Sequence, residues 1–187
     1  GLSLHVNDIA GYSETLNKCY LSTPTTKQQK RIEKLIAKAN KFAYSEDTIK
    51  YDKWIQLHWA PSGNITKDQR VYYTEKNGKL IDRYRSFINS LSENDKPFIL
   101  APLLVEASIH NNTNGQFSAF YKDEQGVGKF GGKKEIDIKR ITTPIKLPLP
   151  IFSPSPCNVN VSRMDTNQWI KDIPEVDLVY YDPPYNK

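Results

Sequence analysis

Apolar residues recur at helical spacing in four stretches of the chain. The most regular stretch, Lys27–Ala43, carries an apolar stripe with the roughly 3.6-residue period of an amphipathic helix, and residues 22–26 before it offer N-cap side chains. The same spacing predicts helices over Tyr12–Tyr20 and Leu80–Leu91. The fourth stretch, Phe98–His110, is apolar on nearly all sides, so we expect a buried helix there.

Patterns typical of strands lie near the two ends of the chain. Leu2–Val6 is a short apolar run that predicts a buried strand, and Asn158–Val161 alternates between polar and apolar residues. Val176–Tyr181 is rich in residues that favour strands, which predicts a third strand. A short helix is predicted between these strands, over Asn167–Lys171. The whole pattern indicates an α/β protein whose strands are far apart in sequence.

An aspartate follows each of the three predicted strands. Asp8 comes after the first strand, Asp165 after the second and Asp182 after the third. In an open α/β sheet, ligands bind just beyond the carboxyl ends of the strands. We therefore expect these three carboxylates to converge, although Asp8 and Asp182 lie at opposite ends of the sequence.

Three stretches between the strands are less regular. Ser45–Asn77 is rich in aromatic side chains around a turn at residues 61–64, and Asn111–Lys134 is rich in glycine and lysine, which predicts loops and a short hairpin. Thr143–Pro156 contains five prolines, which exclude a regular helix or central strand and predict an extended connector.

Composition limits the classes of protein that fit this pattern. Of the 187 residues, 38% are hydrophobic and 11% are aromatic, which argues against disorder. No apolar run approaches the roughly 18–20 residues of a membrane span, and no signal-peptide pattern is visible, so we expect a cytoplasmic protein. The net charge of +5 suits nucleic-acid binding without requiring it.

Cysteine and histidine give little sign of metal or disulfide chemistry. Cys19 and Cys157 are far apart without metal-ligand spacing, and the three histidines are scattered, so we expect reduced thiols and no metal site. The sequence begins at Gly1 and its only methionine is Met164, which suggests a fragment or a processed product.

The most informative motif is Asp182-Pro183-Pro184-Tyr185, directly after Val176–Tyr181. The exocyclic amine of adenine is a poor nucleophile because its lone pair is delocalised into the ring. A carboxylate and a backbone carbonyl that each accept one amine hydrogen favour a pyramidal nitrogen, which can attack a sulfonium methyl group. The prolines stiffen the turn, and the tyrosine offers a flat face for a base outside the duplex. The alternative is a strand-ending turn without chemistry.

This motif, with Asn186 after it, resembles motif IV of the Dam-like DNA adenine-N6 methyltransferases, an alpha-group family of restriction-modification type. Asn114–Lys122 together with Gly126–Gly132 resembles a second family element more loosely, and Val6-Asn7-Asp8 resembles the end of the second strand, motif II. The resemblance makes the four residues of the motif the expected catalytic residues. It also implies S-adenosyl-L-methionine as the cofactor.

The implied fold is a partial Rossmann-like methyltransferase sheet with a large, mainly helical and loop-rich insertion for target recognition. The catalytic domain would comprise residues 1–44 and 156–187, and the recognition insertion residues 45–155. Asp8 would bind the ribose hydroxyls of the cofactor, Asp165 would lie near its adenine, and Asp182 would face its methionine amino group. Solvated strand-end or helix-capping roles are the alternatives for Asp8 and Asp165.

The resemblance further implies that double-stranded DNA in a bacterial or phage context is the partner, with a cognate restriction endonuclease as a further candidate. Basic residues near aromatic ones in the insertion are the candidate phosphate contacts: Arg70, Lys122, Lys129, Lys133, Lys134, Lys139 and Arg140. A lysine-rich surface loop without DNA contacts is the alternative reading of the same residues.

Two features of the family have no counterpart in this sequence. The Phe-x-Gly-x-Gly turn that wraps the cofactor has no counterpart before Asp8, and the strands expected after motif IV are absent. In that fold the first strand lies between the strands of motifs II and IV, so we expect a fragment with half a cofactor pocket, inactive alone. The main alternative is a non-catalytic DNA-binding remnant that keeps the motif. Methylation of RNA or of a cytosine amine, and a chance motif in an unrelated DNA-binding protein, are further alternatives.

Overall fold

The computed structural model describes residues 2–45, 50–115, 117–132 and 135–182. Its regular elements are, in chain order, β1 (Leu2–Asn7), α1 (Gly11–Tyr20), α2 (Thr26–Ala43), α3 (Trp54–Trp59), α4 (Glu75–Asn89), α5 (Lys96–Ile109), α6 (Glu135–Thr142), β2 (Cys157–Ser162) and α7 (Thr166–Trp169). The architecture is therefore mixed α/β, as the sequence predicts at this coarse level, and the helices of the described part greatly outnumber its strands.

The two strands pair although they lie near opposite ends of the sequence. They run parallel, with Leu2 opposite Cys157 and Asn7 opposite Ser162, and α1 packs against β2. The expectation that β1 is buried is wrong. Leu2 is 75% exposed, because the described sheet has only two strands and little is packed against the first half of β1.

The hydrophobic core lies among the long helices. The apolar stripe of α2, which includes Ile32, Ile36 and Ala39, is buried as predicted, and it packs against α4 and α5. α5 contacts α1, α2 and α4, so most of its circumference meets other helices, which explains its apolar character. The core therefore joins α2 to the helices of the predicted insertion, and the domain division at residue 44 stays a prediction.

The proline-rich connector is extended, as predicted, but part of it is buried. Ile145 and Leu147 belong to the hydrophobic core. Asn40 holds this stretch on one side: its Nδ2 donates to the Leu147 carbonyl oxygen at 3.0 Å, and its Oδ1 accepts from the Leu147 amide at 3.0 Å. Asn77, fully buried, accepts from the Ile145 amide at 3.0 Å. Side-chain amides thus replace the backbone partners that an irregular segment lacks.

The hairpin expected within Asn111–Lys134 is present in reduced form, as an isolated antiparallel bridge between Lys122 and Gly128. The sequence pattern did not predict α3 or α6. Within the described ranges, no helix combines the length and the apolar character needed to cross a membrane.

Candidate functional site

The two strands end at the same edge of the sheet because they are parallel and paired along their full length. The Asn7 side chain joins the two ends. Its Nδ2 donates to the Met164 carbonyl oxygen at 3.0 Å, and its Oδ1 accepts from the Met164 amide at 3.1 Å. Asp8 and Asp165 follow directly after these residues. The structure therefore places two of the three predicted aspartates beyond one sheet edge.

Both carboxylates bond to nearby backbone amides. Asp8, half-buried, accepts from the Ala10 amide at 2.9 Å through Oδ1. Asp165 is the N-cap of α7, and its Oδ1 accepts from the Asn167 amide at 2.9 Å and the Gln168 amide at 3.3 Å. These bonds match the capping alternative and fix the orientation of each carboxylate. The cofactor contacts of Asp8 and Asp165 stay predictions.

The segment before Asp182 differs from its prediction. Val176–Tyr181 has no regular secondary structure, and Leu178 and Tyr180 are 86% and 88% exposed. The predicted strand is therefore wrong for this structure. The reason is that a strand requires a hydrogen-bonded neighbour, and no strand of the described part lies beside this segment.

Asp182 is itself exposed and makes no hydrogen bond to any residue that the structure describes. The other expected catalytic residues, Pro183, Pro184 and Tyr185, lie outside the described residues. The convergence of Asp182 with Asp8 and Asp165 stays a prediction.

Two of the predicted DNA-binding cations share one surface. The Arg70 guanidinium carbon lies 5.4 Å from the centroid of the Trp59 ring, and Lys122 Nζ lies 5.1 Å from that of Phe120. Tyr72 connects the two, with its ring centroid 4.9 Å from that of Trp59 and 5.1 Å from that of Phe120. We call these five residues the aromatic-basic face. Because both cations are exposed and rest on aromatic rings, they are partly pre-oriented toward solvent.

The aromatic-basic face is held in place from behind by Asn112, which is fully buried. Its Nδ2 donates to the carbonyl oxygens of Val71 at 2.7 Å and Lys129 at 2.8 Å, and its Oδ1 accepts from the Gly131 amide at 2.9 Å. Gly128 permits the close approach of the two segments, since an added Cβ would lie 2.3 Å from Cγ2 of Val71. Sequence reasoning singled out neither Asn112 nor the Trp59–Tyr72 contact, because both depend on segments distant in sequence.

The remaining candidate phosphate contacts divide into three groups. Lys129 and Lys139 are exposed and accessible to a ligand, whereas Lys133 and Lys134 lie outside the described residues. Arg140 has a structural role, and its contact with phosphate stays a prediction. Its guanidinium donates to the carbonyl oxygens of Ile109, Asn111 (2.8 Å) and Thr113 (3.2 Å), which satisfies acceptors at and beyond the end of α5.

Among the described side chains, no group of three His, Cys, Asp or Glu is arranged to hold a metal ion. Comparisons with models of protein families, with curated proteins and with solved structures found no match to this chain.

Proposed function

We propose that this chain is part of an S-adenosyl-L-methionine-dependent DNA methyltransferase that acts on the N6 amine of adenine. The observation that carries the proposal is the parallel pair β1–β2, in which each strand is followed by an aspartate at a common edge. That edge is where α/β sheets bind ligands. The Asp182-Pro183-Pro184-Tyr185 motif supplies the specific chemistry.

The residues at the sheet edge suit one part of the cofactor. Carboxylates accept hydrogen bonds only, so Asp8 and Asp165 are suited to ribose hydroxyls and to the adenine amine. Their orientation is already fixed by bonds to the Ala10 and Asn167 amides. The cofactor, when bound, supplies an electrophilic methyl group. Residues 1–7 contain no glycine-rich turn for its sulfonium end, so the residues present at this edge fit the ribose and adenine of the cofactor.

The acceptor side of the reaction depends on Asp182. Its carboxylate accepts one hydrogen of the adenine amine and holds the nitrogen lone pair toward the methyl donor, which stabilises the charge that develops on the amine. Proline has no amide N–H, so Pro183 and Pro184 supply no backbone donor that would compete for that carboxylate. Tyr185 offers the stacking surface for the displaced base.

The exposure of Val176–Tyr181 agrees with this proposal. Residues with strong strand preference and large apolar side chains stabilise a sheet, and exposing their apolar surface to water is unfavourable in free energy. We infer that the segment becomes a strand when the central strand of the methyltransferase sheet is present beside it. The 187-residue chain alone is then expected to be inactive.

The test is methyl transfer from isotope-labelled S-adenosylmethionine to duplex DNA, with N6-methyladenine measured by mass spectrometry. The protein expressed from its full coding region should be active, and Asp182→Ala should lower the rate at least about 100-fold. Asp177→Ala, an exposed aspartate in the same segment, is the matched control and should leave the rate unchanged. An active Asp182→Ala variant would refute the catalytic role, and turnover by the 187-residue chain would refute its incompleteness.

A second candidate function is a DNA-binding module without catalysis, with or without a cognate restriction endonuclease. The observation that favours it is that the aromatic-basic face is formed without any contribution from the sheet edge. The same assay separates the two candidates. DNA binding by the full protein without any N6-methyladenine would support the module.

A further inference from the structure

A cavity of about 350 Å³ lies beside the aromatic-basic face, between α3 and the segment from Ser62 to Arg70. Its volume is at the lower end of the range for small-ligand sites. Its wall combines apolar and polar side chains, which include Leu57, Ala60, Gln56, His58, Asp68 and Arg70. It is distinct from the sheet edge, since none of its lining residues belongs to β1, β2 or the segments that follow them.

The loop that forms one wall of this cavity is fixed by Gln69. Its Oε1 accepts from the Thr66 amide at 3.0 Å, and its Nε2 donates to the Ser62 carbonyl oxygen at 3.2 Å. The other wall is fixed to the aromatic-basic face, because the Trp59 carbonyl oxygen accepts from the Tyr72 amide at 3.0 Å. The cavity is therefore bounded by hydrogen-bonded segments.

The two charged side chains of the cavity, Arg70 and Asp68, keep their hydrogen-bonding groups available for a ligand. Arg70 and Asp68 make no ion pair with each other, and within the described residues neither side chain makes any hydrogen bond. The Arg70 guanidinium is nevertheless oriented, because it lies over the Trp59 ring. The cavity is thus bordered by the oriented N–H donors of the Arg70 guanidinium and by the Asp68 carboxylate, which only accepts hydrogen bonds.

We propose that this cavity binds a guanine base that lies outside a double helix. Guanine presents two acceptors, O6 and N7, on one edge, and these suit bidentate donation from an arginine such as Arg70. It presents two donors, N1–H and the N2 amine, on its pairing edge, and these suit a carboxylate such as Asp68. Adenine has an acceptor at N1, which would face the carboxylate unfavourably. A lone phosphate would be repelled by Asp68.

The pairing edge of guanine is accessible only when the base is unpaired, so the source is a single strand, an extruded base or a free nucleotide. The inference rests on the proposed function only in taking DNA as that source. If it is correct, the helical part of the molecule reads a second base, apart from the adenine that is methylated.

The test is equilibrium binding by fluorescence anisotropy, with the 187-residue chain and no S-adenosylmethionine present. The probes are labelled oligothymidylates that carry one guanine or one adenine, and a blunt duplex. We expect the guanine strand to bind at least tenfold more tightly than the adenine strand or the duplex. Equal affinities for the two strands, or tighter binding of the adenine strand, would overturn the inference.

Substitutions of Arg70 and Asp68 test whether these two side chains cause the preference for guanine. Arg70→Ala and Arg70→Lys should each reduce the affinity for the guanine strand at least tenfold, since lysine keeps the charge but loses the fork. Asp68→Asn should reduce the preference for guanine over adenine to less than threefold. Lys38→Ala, which removes one positive charge from the exposed side of α2, is the control and should bind as the wild type does. An unaltered preference in Arg70→Ala would contradict the proposal.

Competition with guanosine monophosphate distinguishes the sources. If guanosine monophosphate displaces the guanine strand at a concentration similar to that of the strand, the ligand is a free nucleotide. If much higher concentrations are needed, the ligand is a base within a strand. Circular dichroism should show unchanged folding of the variants, because Asp68 and Arg70 are exposed. Since methyl transfer is not measured, a failure of guanine binding and a failure of the proposed function can be told apart.

Discussion

Three asparagines fix two irregular regions of the chain in place. Asn40 and Asn77 bond to backbone groups of the buried connector, and Asn112 bonds to the two segments behind the aromatic-basic face. A primary amide offers both donors and an acceptor, so one side chain can satisfy a carbonyl and an amide of the same segment. In this way the irregular segments are fixed without a ladder of strands.

Asn112 should therefore be important for stability. Replacement by alanine leaves the carbonyl oxygens of Val71 and Lys129 and the amide of Gly131 without their partner. We expect Asn112→Ala to lower the free energy of unfolding by about 3 kcal/mol, because each unpaired polar group costs about 1–3 kcal/mol and solvent offsets part of that. Urea denaturation followed by circular dichroism measures the change.

The matched control for this prediction is Asn114→Ala, two residues away and exposed. Its effect should stay within about 0.5 kcal/mol. Similar effects of the two substitutions would show that Asn112 does not hold these segments together.

The two cysteines should differ in reactivity. Burial raises the pKa of the Cys19 thiol from its ordinary value of 9.0 to about 12, whereas Cys157 is only partly buried. The thiolate is the reactive form, so at pH 8 a disulfide reagent should modify Cys157 alone in the folded protein and both cysteines after unfolding. Mass spectrometry of the labelled protein tests this, and rapid labelling of Cys19 in the native state would contradict it.

The same shift in pKa has a consequence for stability. The folded state holds the Cys19 proton more tightly than the unfolded state, so this stabilisation is complete below pH 9 and decreases as the pH rises toward about 12. Burial also raises the pKa of Tyr73 and Tyr84, which adds to the effect. The urea midpoint should therefore fall above pH 9.

At the scale of elements, the sequence predicts those whose signals are local. α2 begins with a capping box, in which Thr25 Oγ1 accepts from the Gln28 amide and the Gln28 side chain accepts from the Thr25 amide. These two residues are three apart, and the apolar stripe follows at once. The bounds of α2, Thr26–Ala43, differ from the predicted ones by a single residue.

The helices that the sequence did not predict depend on distant side chains. The first turn of α3 is held by Asp82, whose carboxylate accepts from the Ile55 amide at 3.0 Å and the Gln56 amide at 2.8 Å. The last turn of α6 is held by Asn77, which donates to the Ile141 carbonyl oxygen at 3.2 Å. Both partners lie in α4, so no local pattern could reveal these helices.

Val176–Tyr181 is the opposite case. Its local preference for a strand is strong, but a strand is stable only beside another strand, and the preference alone does not fix the structure. Three cases thus occur within one chain. Local signals suffice for α2, distant side chains stabilise α3, and Val176–Tyr181 stays irregular where no strand of the described part lies beside it.

At the scale of the whole molecule, the candidate site was predictable only in part. The placement of Asp8 and Asp165 at one sheet edge follows from two strand patterns and the rule for parallel sheets. The aromatic-basic face and the cavity beside it were not predictable. Arg70, Trp59 and Lys122 come together only because Asn112 and the helical core bring their segments into contact.

The molecule also leaves an apolar segment in water, and this should govern its behaviour in solution. Leu178 and Tyr180 are 86% and 88% exposed, so we expect the 187-residue chain to self-associate at micromolar concentration. Leu178→Lys combined with Tyr180→Lys should raise the monomer fraction in sedimentation velocity. The urea midpoint should not change, because neither side chain contributes to the core.

The control for self-association adds the same two units of charge without removing apolar surface. Asp172→Asn combined with Glu175→Gln meets this condition, because both acidic side chains are exposed in the same part of the chain. If this variant became as monomeric as the lysine variant, net charge rather than apolar exposure would control association. A wild-type chain that stayed monomeric at all concentrations would show that Leu178 and Tyr180 are not a surface for association, and it would remove the support that their exposure gives to a missing neighbouring strand.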